Sequence, residues 1–268
     1  TVAYIRICCG GALFIVGFNL LGSIFRGMGN SKLPLFAVAV ACVCNIGGDL
    51  LCVAVLKMGV AGAALATVAS QAISVILSLL IIKKIQLPFT LTKRDIKWDS
   101  FRILRVVKLG FPIAFQDFLV SISFIVIAAI VNTLGVKESA GVGIAEKVCG
   151  FIMLVPSAFM QSMSAFVAQN IGAAKPARAK KALFYGITLS LSIGICMFFF
   201  AFFHGDILTG LFSHDADVVR NGADYLKAYA VDCIFTSFLF CFVGYFNGCG
   251  HTTFVMWQGI IGSFGVRI

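Results

Sequence analysis

Charged residues are scarce in this sequence. Only 12% of the 268 residues are Asp, Glu, Lys or Arg, whereas 60% are hydrophobic and the mean hydropathy is +1.02. A soluble globular domain carries about 25% charged residues, so the composition argues against a soluble domain and favours a protein whose solvent is the bilayer. Runs of about 18 or more nearly uncharged residues are typical of transmembrane helices, and they recur along most of the chain.

Motifs for enzyme chemistry are also missing. The three histidines, His204, His214 and His251, have no nucleophile or metal-ligand spacing around them. The sequence contains no phosphate-binding loop, dinucleotide fingerprint or metal box. We therefore expect no enzyme activity, no cofactor and no ATP-driven transport by this chain alone.

The ten cysteines lie within or at the ends of apolar runs and include no C-x-x-C pair. Burial in a helical bundle would make them free thiols that pack as small hydrophobic residues. The start, TVAYIRICCGG, lacks an initiating Met, a basic region and a cleavage site, so we do not interpret it as a signal peptide.

The apolar runs predict helical spans, because a lipid-exposed backbone must satisfy its amides internally. They are too long and too uniformly apolar for the strands of a membrane β-barrel. We predict spans at 3–24, 34–56, 60–82, 109–133, 139–170, 181–203 and 225–246, and an eighth that begins near 253.

Positive charge is distributed unevenly among the connections, and this sets the predicted orientation. Lys and Arg are concentrated at 83–108, at 175–181 and in the first loop at Arg26 and Lys32, which we place in the cytoplasm. The connection at 204–224 carries four Asp against one Arg and faces outward. The net charge of +10 thus indicates topology and lipid headgroup contact rather than nucleic-acid binding.

A short repeat suggests internal duplication. FRGMGNS at 25–31 aligns with FNGCGHT at 246–252 at a shift of 221 residues. Six predicted helices separate the copies, so both have the same orientation, as in a parallel repeat. The repeat places about three helices before Thr1 and further chain after Ile268, so we expect the middle of a twelve-helix protein.

Several segments together resemble a known family. These are GSIFRGMGNSKLPLFAVAVACVCNIGGDLL with KMGVAGAALATVASQ, LGFPIAFQDFLVSISFIVIAAIVNTLG, LVPSAFMQSMSAFVAQNIGAAKPARAKKA and GYFNGCGHTTFVMWQ. Their order is similar to helices four to eleven of the multidrug and toxic compound extrusion (MATE) transporters. The first segment matches that family's R-G-x-G-[ND]-x-x-x-P turn and N-x-x-x-D helix.

The resemblance implies a twelve-helix antiporter with two six-helix lobes around a central cavity. Residues 1–84 would form helices 4–6 of the N-lobe, 85–108 a basic cytoplasmic linker, and 109–268 helices 7–10 and part of 11 of the C-lobe. Such proteins export cationic or amphipathic organic compounds in exchange for H⁺ or Na⁺. We expect a monomer in a bacterial cytoplasmic membrane, without nucleic-acid partners.

The first loop is predicted to be a structural turn. Gly27 and Gly29 permit a tight reversal, Asn30 or Ser31 caps the next helix, and Pro34 suits its first turn. Arg26 can reach headgroups or the carbonyls that end the preceding helix. The sequence leaves open whether this turn also transmits lobe motion. Gly248 and Gly250 belong to the matching turn.

Intramembrane acids and amides are the candidate functional residues, because a charge at the bilayer centre costs at least about 2.5–3.5 kcal/mol. Asn45 and Asp49 share one face of a helix at i, i+4. They form either a structural hydrogen-bonded pair or a cation or proton site. Gln116 and Asp117 lie about two turns into the predicted span at 109–133.

The family's acidic coupling positions carry other residues here. Some relatives have a coupling glutamate at the position of Val120, and others an acid at the position of Thr236. Asp117 and Asp232, each one turn earlier, are the substitutes that we consider. Glu146 lies near the outer entrance as a cavity or rim residue, and the neighbouring Lys147 points about 100° away from it.

Uncharged groups complete the set of candidates. Gln161, Gln169 and Asn170 can hydrogen-bond within the bundle or to a substrate. The 27 phenylalanines suit amphipathic cations through cation–π contacts, although lipid contact is their default explanation. Gly244 and Gly248 fit G-x-x-x-G packing between helices. Two alternatives to drug export remain open: a flippase for lipid-linked oligosaccharide, and a membrane assembly protein that does not transport.

Overall fold

The computed structural model describes residues 2–84, 97–133, 135–213 and 215–266. These residues form helices and turns, with no strand among them, which confirms the all-α fold class. The chain divides into two compact units, Thr1–Trp98 and Asp99–Ile268, which we call unit 1 and unit 2. Half of the predicted linker, residues 85–96, lies outside the described residues.

The described part of unit 1 is built around one long helix. Its helices are α1 (Val2–Gly10), α2 (Ala12–Gly27), α3 (Lys32–Asp49) and α4 (Gly59–Lys84). Helix α3 continues directly into a π-helix at Leu50–Val55. Helix α4 packs against the other three.

The predicted span at 3–24 is broken at Gly11, where α1 and α2 meet at an angle of 56°. A Cβ at Gly11 would overlap the side chain of Val68 on α4. The bend therefore lies at a close approach of the chain to α4. The apolar run predicted the length of this segment but did not indicate the bend.

The described part of unit 2 contains α5 (Ser100–Val131), α6 (Val136–Gly172), α7 (Pro176–Phe203), α8 (Gly205–Gly210), α9 (Ala216–Gly248) and α10 (Thr252–Ile260). Helix α10 continues as a π-helix to Val266. Helix α9 packs along α6 and α7, and α10 packs against α5. The short α8 lies against α9, where the Thr209 hydroxyl donates to the Val219 carbonyl at 3.2 Å.

Six helices in the described ranges are long and apolar enough to cross a membrane, or seven if α1 and α2 form one bent span. The six are Lys32–Val55, Gly59–Lys83, Ser100–Val131, Glu138–Gly172, Pro176–Phe203 and Ala216–Gly248. They match the predicted spans in order, and the predicted eighth corresponds to α10 with its π extension. The protein is therefore a multi-pass membrane protein.

Helix α5 begins at Ser100, so residues 100–108 are helical although we had predicted them as linker. The Asp99 carboxylate accepts from the amides of Phe101 (3.1 Å) and Arg102 (3.2 Å) and caps the helix. An aspartate followed by an amphiphilic turn is a helix start. Because several basic residues follow Asp99, the same stretch also fits a charged linker, and the sequence did not indicate the helix start.

The contact between α6 and α9 depends on glycine. A Cβ at Gly244 would lie 3.0 Å from the Met160 Cα, and one at Gly248 would lie 2.7 Å from the Ser164 carbonyl oxygen. The G-x-x-x-G pair thus lets two helices of the same unit approach at backbone distance, as predicted. The ten cysteines, all within the described ranges, are free thiols.

The turn between α2 and α3 has a defined backbone geometry. Gly29 has φ +82°, and the amide of Asn30 donates to the Phe25 carbonyl at 3.0 Å. This is the six-residue hydrogen bond of a Schellman helix end. The Asn30 side chain then accepts from the Leu33 amide at 3.2 Å, so Asn30 rather than Ser31 caps α3.

The turn between α9 and α10 repeats this geometry. Gly250 has φ +84°, and the amide of His251 donates to the Phe246 carbonyl at 2.9 Å. Each atom pair is displaced by 221 residues from its counterpart in the first turn. The short sequence repeat therefore marks two turns of the same local conformation.

A third turn, between α6 and α7, has the same hydrogen-bond pattern without the second glycine. The amide of Lys175 donates to the Asn170 carbonyl at 2.8 Å, and Ala174 takes the left-handed position with φ +55°. All three turns follow helices that the loop charges predict to end in the cytoplasm.

Candidate functional site

Two contacts set the register of the antiparallel helices α3 and α4. The Ser74 hydroxyl donates to the Ala37 carbonyl at 2.8 Å. Further along, a Cβ at Gly48 would lie 3.0 Å from the Cβ of Ala66. Between these points the two helices pack against each other.

Three side chains of α3 and α4 each have one buried polar atom without a hydrogen-bond partner among the described residues. These are Asn45 Nδ2, Asp49 Oδ1 and Gln71 Oε1, which we call the unsatisfied atoms of unit 1. A buried polar group without a partner costs about 1–3 kcal/mol. Such a group is retained in a native protein for a reason, such as a bound water, an ion or catalysis.

The register places these three side chains at similar levels along the helix axes. Interpolation between the two contacts puts Asn45 level with about residue 68 of α4. Gln71 then lies roughly 5 Å further along the axis, and Asp49 within about 10 Å, at 1.5 Å per residue. Gln71 shares the face of α4 on which Val68 and Val75 approach Gly11 and Gly17, so it is a separate polar position at the level of the i, i+4 pair.

Asp49 also marks a change in the helix. It is the last α-helical residue of α3, and the π-helix begins at Leu50. A π turn releases the regular i to i−4 ladder and is frequent at functional sites. The carboxylate thus stands where the backbone geometry is least regular within this span.

The unsatisfied atoms of unit 1 have complementary chemistry. Asp49 and Gln71 offer oxygen acceptors, and Asn45 offers an amide donor. Protonation of Asp49 would turn one acceptor into a donor. A monovalent cation would instead be held by carboxylate and amide oxygens. The nearby Thr67 hydroxyl already donates to the Ala63 carbonyl of its own helix at 2.9 Å.

In unit 2, the packing of α6 on α9 brings two predicted acids to one place. Glu146 and Asp232 are both half-buried, and both interact electrostatically with the Cys149 thiol. Tyr229, whose carbonyl accepts from the Cys233 thiol at 3.8 Å, packs against the apolar cluster that contains Cys149. The sequence offered these acids as separate candidates, and the structure places both within electrostatic range of that one thiol.

Gln116 and Asp117 face different surroundings. The Gln116 side chain lies against Gly259 of α10, where a Cβ would overlap it. Asp117 is exposed on unit 2, and its carbonyl accepts from the Ser121 hydroxyl at 2.8 Å. The side chain of Asp117 is therefore free of the α5–α10 packing.

The amide candidates of α6 lie far from Glu146. Gln161 is exposed and stands fifteen residues along the same helix, about 22 Å away at 1.5 Å per residue. Asn170 is buried and donates to the Phe166 carbonyl at 2.7 Å, which is a local helix bond. Neither residue belongs with the Glu146–Asp232 group.

Sequence reasoning missed three buried polar residues. Gln71 has an unsatisfied atom, as do Ser190 and Asn247 of unit 2. Each lies in an apolar run with small polar neighbours, such as TVASQAIS around Gln71. The available signal was the polarity of single positions, which does not reveal whether a side chain faces the interior.

Unit 2 also has an apolar cavity of about 460 Å³ between α6, α7 and α8, which is open on one side, where Phe151, Phe200 and Phe212 are exposed. It is lined by Phe151, Met197, Phe200 and Phe212 among other apolar side chains. Its size falls within the range of about 300–1,000 Å³ that is usual for small-molecule pockets. Aromatic and Met side chains of this kind suit an apolar or amphipathic guest.

Comparison with known proteins places the chain in a family. The MatE family model matches residues 112–268. The chain belongs to the MatE family. This confirms the resemblance carried by the turn and helix motifs described above.

Two of the curated relatives that the chain matches are proteins of Bacillus subtilis. The chain is 28% identical over 265 residues to the "Probable multidrug resistance protein YpnP" of Bacillus subtilis, covering 98% of this chain and 59% of that protein. It is 30% identical over 200 residues to the "Probable multidrug resistance protein YoeA" of the same organism, covering 71% and 43%. The chain thus spans between 43% and 59% of the length of these relatives.

Solved structures share the MatE fold. One is described as the "Outward-facing conformation of a multidrug resistance MATE family transporter of the MOP superfamily". It superimposes with a TM-score of 0.91 at 20% identity, and the match covers 98% of this chain and 59% of that one. At this identity the likeness establishes the fold alone.

Proposed function

We propose that the protein containing this MatE chain is a secondary active antiporter. It exports cationic or amphipathic organic compounds in exchange for H⁺ or Na⁺ by alternating access in a bacterial cytoplasmic membrane, as a monomer without a cofactor. The family and the names of the relatives support export. The observation that carries ion coupling is the set of unsatisfied atoms at Asn45, Asp49 and Gln71.

The mechanism follows from what satisfies those atoms. A proton or a monovalent cation at Asp49 removes the cost of an unpaired buried oxygen. The state that offers this site to the ion is then stabilised relative to the other state. An ion can shift the equilibrium only by its differential affinity for the two states. Glu146, Asp117 and Asp232 are further coupling candidates in unit 2.

The substrate class rests on different features. The apolar cavity of unit 2 has aromatic and Met lining without charged side chains among the residues described there. A flippase for lipid-linked oligosaccharide would need a large cationic cavity. An assembly protein would have no use for carboxylates inside several helices.

The test is efflux driven by an imposed gradient. Asp49→Asn in the full-length protein should lower ethidium efflux by about tenfold in proteoliposomes with either a proton or a sodium gradient. Asp224→Asn is the matched control, because Asp224 is exposed and pairs with Lys227 at 2.9 Å. Its efflux should stay at the wild-type rate.

Three outcomes would contradict the proposal. Normal efflux by Asp49→Asn, with Asp117→Asn and Asp232→Asn reduced, would move coupling to unit 2. Normal efflux by these three variants and by Glu146→Gln would leave ion coupling without a candidate carboxylate in this chain. Transport of a lipid-linked oligosaccharide but not of ethidium would identify the flippase alternative.

A further inference from the structure

A second, very small cavity lies inside unit 2 where α6, α7 and α9 meet. Its volume of about 10 Å³ is close to the minimum that holds one water molecule. The side chain of Ser190 on α7 is 1% exposed and lines this cavity. Its hydroxyl has no hydrogen-bond partner of ordinary geometry within the described part of the chain.

Polar groups surround the cavity from all three helices. Thr236 and Ser237 of α9 line it, and both are nearly inaccessible to solvent. The Ser237 hydroxyl already donates to the Cys233 carbonyl at 2.8 Å. Ser190 also lies near the Cys241 thiol, but a thiol is a weak partner for a hydroxyl.

The third polar group is a backbone carbonyl of α6, which a proline leaves without its helical donor. Pro156 is buried in the interior of α6 and lines the same cavity, as does Ile152 four residues before it. Proline has no N–H, so the carbonyl of the residue four positions earlier loses its helical donor. The Ile152 carbonyl is that acceptor.

We infer that this cavity binds one ordered water molecule. The water donates one hydrogen bond to the Ile152 carbonyl, which lacks its helical donor because of Pro156. It also donates a hydrogen bond to the Ser190 hydroxyl or accepts one from it. It thereby replaces the missing bond of α6 and links α6 to α7 within unit 2. The inference is independent of the proposed antiport.

A water suits the site better than a metal ion. None of the described residues that line the cavity carries a charge. An unpaired ion in such a place would be strongly penalised, whereas a neutral water needs only two to four polar partners. The experiment is therefore designed to distinguish a bound water from a bound sodium ion.

The experiment is a double-mutant cycle on the full-length protein in nanodiscs, read by thermal unfolding. Ser190→Ala should lower the Tm relative to Ser192→Ala, by about 2–4 °C for the loss of one buried hydrogen bond. Ser192 is the matched control because it is exposed on the same helix and bonds only locally, to the Thr188 carbonyl at 2.9 Å. In a Pro156→Ala background, the α6 hydrogen bond is restored and Ser190→Ala should have a much smaller effect.

Three results would overturn the inference. A higher Tm for Ser190→Ala than for Ser192→Ala would mean that the hydroxyl is unsatisfied and the cavity dry. An equal loss in both backgrounds would assign the effect to Cys241 rather than to a shared water. A Tm that depends on sodium in the wild type but not in Ser190→Ala would indicate an ion. A density map that resolves waters should show one peak between Ile152 and Ser190.

Discussion

Ala174 has the backbone conformation least suited to its side chain among the three matching turns. Its φ of +55° lies in the left-handed region, where Gly29 and Gly250 stand in the other two turns. An L-residue with a Cβ pays roughly 1–2 kcal/mol there. The hydrogen bonds of the turn hold Ala174 in place at that cost.

Replacing Ala174 with glycine should therefore stabilise the protein. We expect Ala174→Gly to raise the Tm by about 2–4 °C, because removing the Cβ relieves about 1 kcal/mol of strain. Thermal unfolding of the purified protein measures this. Ala173→Gly is the control: Ala173 has φ −87°, so the same substitution should be neutral or destabilising. A loss of stability in Ala174→Gly would refute the strain argument.

Asp49 shows how one residue acquires a candidate role from its surroundings. The carboxylate is half-buried, ends the α-helical part of its span and has an unsatisfied oxygen. The sequence identified the Asn45–Asp49 face and left open whether the two residues form a structural pair or an ion site. In the structure neither of these unsatisfied atoms is paired with the other, which favours the ion site.

At the level of helices, glycine residues allow particular pairs of helices to pack closely. Along α9, Gly244 and Gly248 face the α6 backbone, and on α7 a Cβ at Gly194 would lie 3.0 Å from the Cys233 carbonyl oxygen. Helices in lipid associate through close packing because the solvent provides no hydrophobic drive between them. Small residues thus permit the close approach of α6, α7 and α9.

Two glycine-to-alanine substitutions should have opposite effects. Gly244→Ala should destabilise unit 2 by about 1–3 kcal/mol, because its Cβ would meet the rigid backbone of Met160. Gly150→Ala should stabilise α6 by about 0.5–1 kcal/mol, because no atom lies within 4 Å of its Cβ position and alanine is the better helix former. Unfolding of both variants in the same detergent gives the comparison. Equal effects of the two would argue against close packing at Gly244.

At the scale of the whole molecule, the chain contains two units whose described helices can span a bilayer. The three turns that share one hydrogen-bond pattern follow α2, α6 and α9. Loop charge predicts that all three face the cytoplasm, whereas the connection after α7 faces outward. This topology depends on the order of all the spans along the chain and cannot be assigned from a single helix.

Cysteine labelling tests the topology directly. In a background without the ten native cysteines, a cysteine at Asn30, Lys175 or His251 should be protected from an impermeant maleimide added to intact cells. A cysteine at Lys57 or Thr133 should react, because these connections are predicted to face outward. Permeabilised cells provide the control, since all five positions should then be labelled. Labelling of His251 but not Asn30 from outside would rule out a parallel repeat.

The sequence by itself determined the class of protein and the order of its spans. Hydropathy is a sum over consecutive residues, so it locates a helix without knowledge of its neighbours. The paired turns at Gly29 and Gly250 were also readable, because a left-handed glycine acts within six residues of chain. The family followed from such local motifs taken in order.

Only the tertiary structure decided which polar side chains meet. Helices that are apolar all round do not indicate which face packs inward, so Gln71 and Ser190 could not be told from exposed neighbours. The grouping of Glu146 with Asp232 required the packing of α6 on α9, and the unsatisfied oxygen of Asp49 was apparent only from the packing of unit 1. Contacts between distant residues depend on how helices fit together, and this information is not contained in any one run of sequence.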